Sequence, residues 1–167
     1  MRTPRVTAGA ERELIENTLD RNREALVETA RGLSEADARR RLVPSLTTPI
    51  SLIKHAAAAE RIWFQRFWEG LVESECDGYA ARDEGTFAVA DGEQLADVIV
   101  EFERASERSR VIAGRFRLDD TREVPGEGTI SLRWTLLAMI EEFARHAGHG
   151  DILREQIERA TSDGATP

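Results

Sequence analysis

Between residues 131 and 160, the positions Leu132, Leu136, Met139, Phe143, His146, Gly150, Leu153 and Ile157 alternate steps of four and three. That spacing lays a stripe along one side of an α-helix and would scatter over both faces of a strand. A long helix with one buried face follows. Such a helix draws its stability from packing and needs other helices over its stripe. His146 occupies a slot where an aliphatic side chain is expected. Glu142 precedes it by four residues, about 40° around the helix, and His149 falls about 20° to the other side of Glu142. All three are expected to face a narrow sector of the core side.

Three more segments carry the helical period. The segment 10–32 and the residue after it place Ile15, Leu19, Asn22, Leu26, Ala30 and Leu33 on one line, with Gly32 as a natural stop. Ser34 can cap a short helix running through Arg41. Thr48 followed by Pro49 opens a second long helix that extends to Gly70. Leu52, His55, Ala59 and Ile62 share a face of it, and Trp63, Phe64, Phe67 and Trp68 make its end aromatic. Residues 94–115 form a third, with Leu95, Val98, Phe102, Ala105 and Ile112 as the buried line. Residues 71–93, rich in glycine and acids, read as a long loop, which inside a compact domain is often functional. Residues 117–129 read as another loop, tightest at Pro125-Gly126-Glu127-Gly128. The expected fold is all-α, a four-helix bundle over residues 10–160. An extended segment, 1–9, precedes it and a flexible tail, 161–167, follows.

Composition narrows the function. The 167 residues carry a net charge of −8, which opposes nucleic acid and anionic lipid as partners, since both reward basic surfaces. No apolar run reaches the ~18 residues of a membrane span. The N-terminus lacks the apolar core of a signal peptide. One cysteine, Cys76, leaves no internal disulfide. A cytoplasmic protein is expected. Lys54 is the only lysine, a bias typical of GC-rich coding rather than of function.

The chemistry concentrates in His55, Glu142 and His146. Glu142 and His146 leave one helix face with Cβ atoms roughly 6 Å apart. His55 sits on another helix, and packing the two side by side would gather a His/Glu/His set. That set suits a divalent metal with open coordination positions, as chemistry requires. A surface Glu–His ion pair and a hydrogen-bonded core histidine are the plainer alternatives. Against them, Glu142 borders the core stripe, where an unpaired carboxylate is costly. Cys76 lies among acids that oppose thiolate formation and reads as a bystander. Arg133 and Arg145 read as helix-surface ion-pair partners, with binding of an acidic substrate or of the thiol's carboxylate as the alternative. The four aromatics are expected to seal the core or an interface, with pocket lining as the alternative.

Residues 51–64 (SLIKHAAAAERIWF) and 131–151 (SLRWTLLAMIEEFARHAGHGD) resemble the DinB/YfiT-like family of metalloenzymes. The likeness is to its DUF664 and mycothiol-dependent maleylpyruvate isomerase-like branches, and it spans roughly residues 10–160. The resemblance implies an antiparallel four-helix bundle, often a homodimer. It implies one divalent metal, zinc or nickel, held by His55, Glu142 and His146. Many relatives place two histidines on the last helix; the isomerase branch places Glu then His, as here. This chain adds His149, which stands as an alternative third ligand or as a catalytic base. The best understood relatives are S-transferases and isomerases that use mycothiol or bacillithiol. The cosubstrates implied are therefore a small-molecule thiol of the mycothiol type and a small electrophile. A non-catalytic metal-binding stress-response bundle or a protein-interaction module is the rival expectation.

Overall fold

The computed structural model describes residues 3–124, 126 and 128–163, the side chain of Asp163 excepted. Helix α1 (Glu11–Ala30) has no side-chain cap, but Glu11 and Glu13 set negative charge against its first-turn amides. Just beyond its end, Gly32 takes a φ of +81°, a conformation cheap only for glycine. Residues before the helix are tied back to it: Asn17 accepts from the Val6 amide at 2.9 Å and donates to the Pro4 carbonyl at 2.8 Å. Ser34 caps α2 (Glu35–Ala38), accepting from the Asp37 amide. This helix ends short of the expected Arg41.

Thr48 and Ser51 form a reciprocal capping box, and Pro49 occupies the first turn of α3 (Pro49–Glu60). From 48 to 62 only Lys54 and His55 are not buried, so α3 is the central helix. The chain then runs unbroken into eight residues of π-helix, Arg61–Trp68, a winding the periodicity does not foretell. Wide turns of this kind are rare and tend to accompany functional sites. Here buried polar groups hold the segment. Arg61 Nε and Gln65 Nε2 both donate to Asp77 Oδ1, at 2.8 and 2.9 Å. Phe64 and Trp68 enter the core, while Trp63 and Phe67 stay partly exposed. Trp68 Nε1 donates to Thr135 Oγ1 at 3.1 Å, which satisfies a buried indole.

The stretch 71–93 holds two short 3-10 turns, Glu73–Glu75 and Glu84–Phe87. Helix α4 (Leu95–Ala113) buries Leu95, Val98, Phe102, Ala105 and Ile112, the line expected of it. The segment read as a second loop is instead a hairpin: β1 (Thr121–Val124) pairs antiparallel with β2 (Gly128–Ser131), Thr121 facing Ser131 and Val124 facing Gly128. Thr121, Val124, Thr129 and Ile130 are β-branched and favour strands, and Gly126 and Gly128 supply the positive φ of the turn. Pro125 and Glu127, part of the expected tight point, lie outside the described residues. Helix α5 (Leu132–Asp163) follows β2 directly and so includes residues 161–163 of the expected tail; residues 164–167 lie outside the described residues.

Helix α1 packs along α5, α3 packs along α4, and α3 also touches α1 and α5. Two contacts show how closely. A Cβ built on Gly150 of α5 would stand 2.7 Å from Thr29 Cβ of α1, and nearer still to its hydroxyl. Arg23 of α1 meets Glu60 of α3 in a bidentate pair at 2.7 and 3.0 Å, with almost no exposure on either side. The molecule is thus largely helical with one small two-stranded ribbon. Among the described residues, no helix is long and apolar enough to cross a membrane.

Candidate metal centre

His55 lies where the otherwise buried α3 meets solvent. Its position on the helix face aims it at α5, where Glu142 and His146 leave one turn side by side. His55 Nε2 lies 2.8 Å from Glu142 Oε1, and His146 Nε2 lies 3.0 Å from the same oxygen. One ligand atom from each of the three residues falls within 4.8 Å of the others. The side chains of His55, Glu142 and His146 are 18, 29 and 12% exposed, sheltered yet reachable. The structure therefore brings together the three residues that the sequence singles out.

His149 is different. It was expected to look inward with Glu142 and His146, but it is exposed. Its Nδ1 lies 3.4 Å from His146 Nδ1, on the side of that ring away from Glu142. It does not join the converging three. A helical wheel places His149 near Glu142 in angle, but two turns further along the axis, about 10 Å.

The electrostatics of the centre are specific. Two imidazoles aim the same kind of nitrogen at one carboxylate oxygen. Each of these contacts needs a bridge between nitrogen and oxygen, either a ring N–H donated to the carboxylate or a cation in its place. Hydrogen bonds from His146 and His55 hold the Glu142 carboxyl well below the usual carboxylate range, against the opposing effect of its partial burial. The donor set of two neutral nitrogens and one oxygen is typical of zinc and neighbouring first-row ions. The residues present fit a divalent metal on that ground.

The centre opens into a pocket of about 1020 Å³. His55 and Glu142 line it, with Ala59, Ile62, Trp63, Phe87, Trp134 and Ala138 as its apolar wall and Arg41, Arg82 and Arg145 among its charged groups. Trp63 therefore lines the pocket rather than sealing the core. It stands 5.6 Å from Trp134 between ring centroids, and the Arg82 guanidinium lies over its face at 5.0 Å. Arg145 pairs with Glu141 and approaches Glu142 to 4.0 Å; Arg133 pairs with Glu11 and Asp119. Both make the surface ion pairs expected of them, and Arg145 in addition lines the pocket. Cys76 lies away from the pocket lining, and burial pushes its thiol up.

Sequence reasoning missed Thr86, Phe87, Arg82 and Trp134. The first three belong to the long loop, where no periodicity marks an inward side chain. Phe87 stacks on His55 with centroids 4.0 Å apart and planes 14° from parallel. Thr86 Oγ1 lies 3.0 Å from His55 Nδ1. Trp134 sits on the exposed side of α5, outside its buried stripe.

No curated protein matches the chain. Among solved structures, it is similar to a conserved protein from Enterococcus faecalis, at 18% identity and a TM-score of 0.63, over 90% of this chain and 98% of that one. That likeness shows a shared fold. The profile of the mycothiol S-transferases matches residues 14–159, a span containing His55, Glu142, His146 and every long helix but the ends of α1 and α5, and the chain belongs to the mycothiol S-transferase family.

Proposed function

We propose that this protein is a divalent-metal-dependent S-transferase that joins a mycothiol-type thiol to a small electrophile. The carrying observation is the convergence of His55, Glu142 and His146 at the edge of a large, mostly apolar pocket. In this reading the four long helices form an antiparallel four-helix bundle, and α3 and α5 supply the ligands. His55, Glu142 and His146 would hold zinc or nickel, with His149 outside the ligand set. A divalent metal there favours thiolate over thiol and so makes a nucleophile available at neutral pH.

The chain's own groups do the rest. Trp63, Ile62, Phe87 and Trp134 exclude water and hold the apolar body of the electrophile. Arg82, over Trp63, presents donors toward a polar leaving group or substituent. His149, expected as the base, lies beyond the His146 ring from the pocket, where it is placed to hold that ring at Nδ1. The exposed Trp134 and Leu137 lie on the face of α5 that the proposed homodimer would cover. The protein works in the cytoplasm, where small-molecule thiols stay reduced.

The test is conjugation of mycothiol to chlorodinitrobenzene by zinc-loaded, untagged protein. Thiol consumption should be lost after chelation and in His146→Ala, and regained when zinc is returned to the wild type. Full zinc loading with no thiol consumption for any of several electrophiles would leave metal binding without transfer as the better account.

A further inference from the structure

His55 has two ring nitrogens, and a metal ligand needs one of them free of its proton and aimed correctly. The long loop meets the other. Thr86 is buried, its Oγ1 lies 3.0 Å from His55 Nδ1, and its hydroxyl donates to the Asp83 carbonyl at 3.1 Å. A hydroxyl has one proton to give. With that proton committed to Asp83, Oγ1 accepts from Nδ1–H, so that when a cation takes the place of the proton between Nε2 and Glu142 the ring's remaining proton is held on Nδ1. Phe87, the next residue, stacks on the ring at 4.0 Å and stops it from tilting. The loop is held where this requires it. Asp83 Oδ1 takes the Gly85 amide at 2.7 Å. Glu93 grips Lys54, the neighbour of His55, at 2.6 and 2.7 Å.

The geometry points to Thr86 as a positioning residue for the metal: through Nδ1 it sets the tautomer and direction of His55, so that Nε2 is presented to the cation. This rests on the metal reading above. Partners of this kind orient ligand rings in other metal sites, and their loss weakens metal affinity by about 10–100-fold.

The experiment measures zinc affinity of the untagged, metal-free full chain by competition with a chromophoric chelator, for wild type, Thr86→Val, Thr86→Ala and Thr86→Ser. Val keeps the shape of Thr without the acceptor, Ala carries the same test if Val does not fold, and Ser restores the hydroxyl. The expected result is one zinc per chain in each folded variant, with affinity lowered about 10–100-fold in Val and Ala and restored in Ser. Wild-type affinity in Val or Ala would overturn the assignment. So would a Ser variant as weak as Ala, since the methyl contact and not the hydroxyl would then matter. A wild type that takes up no zinc overturns the metal reading itself, and with it this inference; zinc uptake unaffected by Thr86 overturns the inference alone.

Discussion

A carboxylate oxygen 2.8 and 3.0 Å from two ring nitrogens makes Glu142 the pivot of the centre. His55→Ala and His146→Ala should each abolish stoichiometric zinc, and Glu142→Ala should weaken it about tenfold or more, whereas His149→Ala should keep it. Elemental analysis of untagged protein checks all four, and a His149→Ala variant that loses its metal would return that residue to the ligand set. Asp77 offers a test that involves no metal. Its partial burial raises its pKa, but donation from Gln65 and Arg61 outweighs that and holds the carboxyl low. The folded state thus binds fewer protons here than the unfolded chain. The stabilisation is present above the unfolded pKa of about 3.9 and is lost as pH falls through and below it. Asp77→Asn should cost about 1–3 kcal/mol at neutral pH, with the difference from wild type shrinking in urea titrations below about pH 4.

At the scale of elements, two helix contacts carry opposite lessons about substitution. Alanine normally favours a helix over glycine by about 1 kcal/mol. At Gly150 the added Cβ would run into Thr29, a β-branched, buried residue whose hydroxyl is already committed to the Leu26 carbonyl. Gly150→Ala should therefore destabilise by about 1–3 kcal/mol, read as a lower urea midpoint; a gain in stability would mean that α1 and α5 move apart freely. The Arg23–Glu60 pair joins α1 to the central helix, with Asp20 and Ser106 completing its hydrogen bonds. Removing one partner leaves a buried charge alone, so Arg23→Ala or Glu60→Ala should cost about 3–5 kcal/mol. Replacing both with apolar residues of similar volume should cost much less. The π segment bears on function through the same core: its winding puts Phe64 and Trp68 inside and Trp63 at the pocket.

For the whole molecule, the proposed metal would tie α3 to α5, elements separated in sequence by the long loop, α4 and the hairpin. Binding to the folded state alone stabilises by about 2.7 kcal/mol at a hundredfold excess over the dissociation constant. In a chain of this size that corresponds to a rise of roughly 5–10 °C in Tm. Calorimetry with zinc and then with excess chelator should show that difference in the wild type and none in His146→Ala. An equal shift in both would place the stabilising ion elsewhere.

The amino-acid sequence by itself determined the long α-helices and the candidates for the centre, His55, Glu142, His146 and His149. The stripe of α5, the Thr48–Pro49 start of α3 and the i, i+4 pair of Glu142 with His146 all depend on neighbours a few positions away, and such interactions are legible in the order of residues. The alternating steps show that His146 replaces an aliphatic group. They do not show what covers it. Only the tertiary structure decided that Glu142 and not His149 meets His55, a contact across 87 residues. It also decided that Thr86, 31 residues from His55, reaches the ring from a loop without periodicity. A helical period fixes the angle of a side chain about its axis, while its depth and partners depend on which element packs against that turn. The winding of Arg61–Trp68 belongs to the same class, because it answers to Asp77 and to the core around Trp68 rather than to the local run of residues.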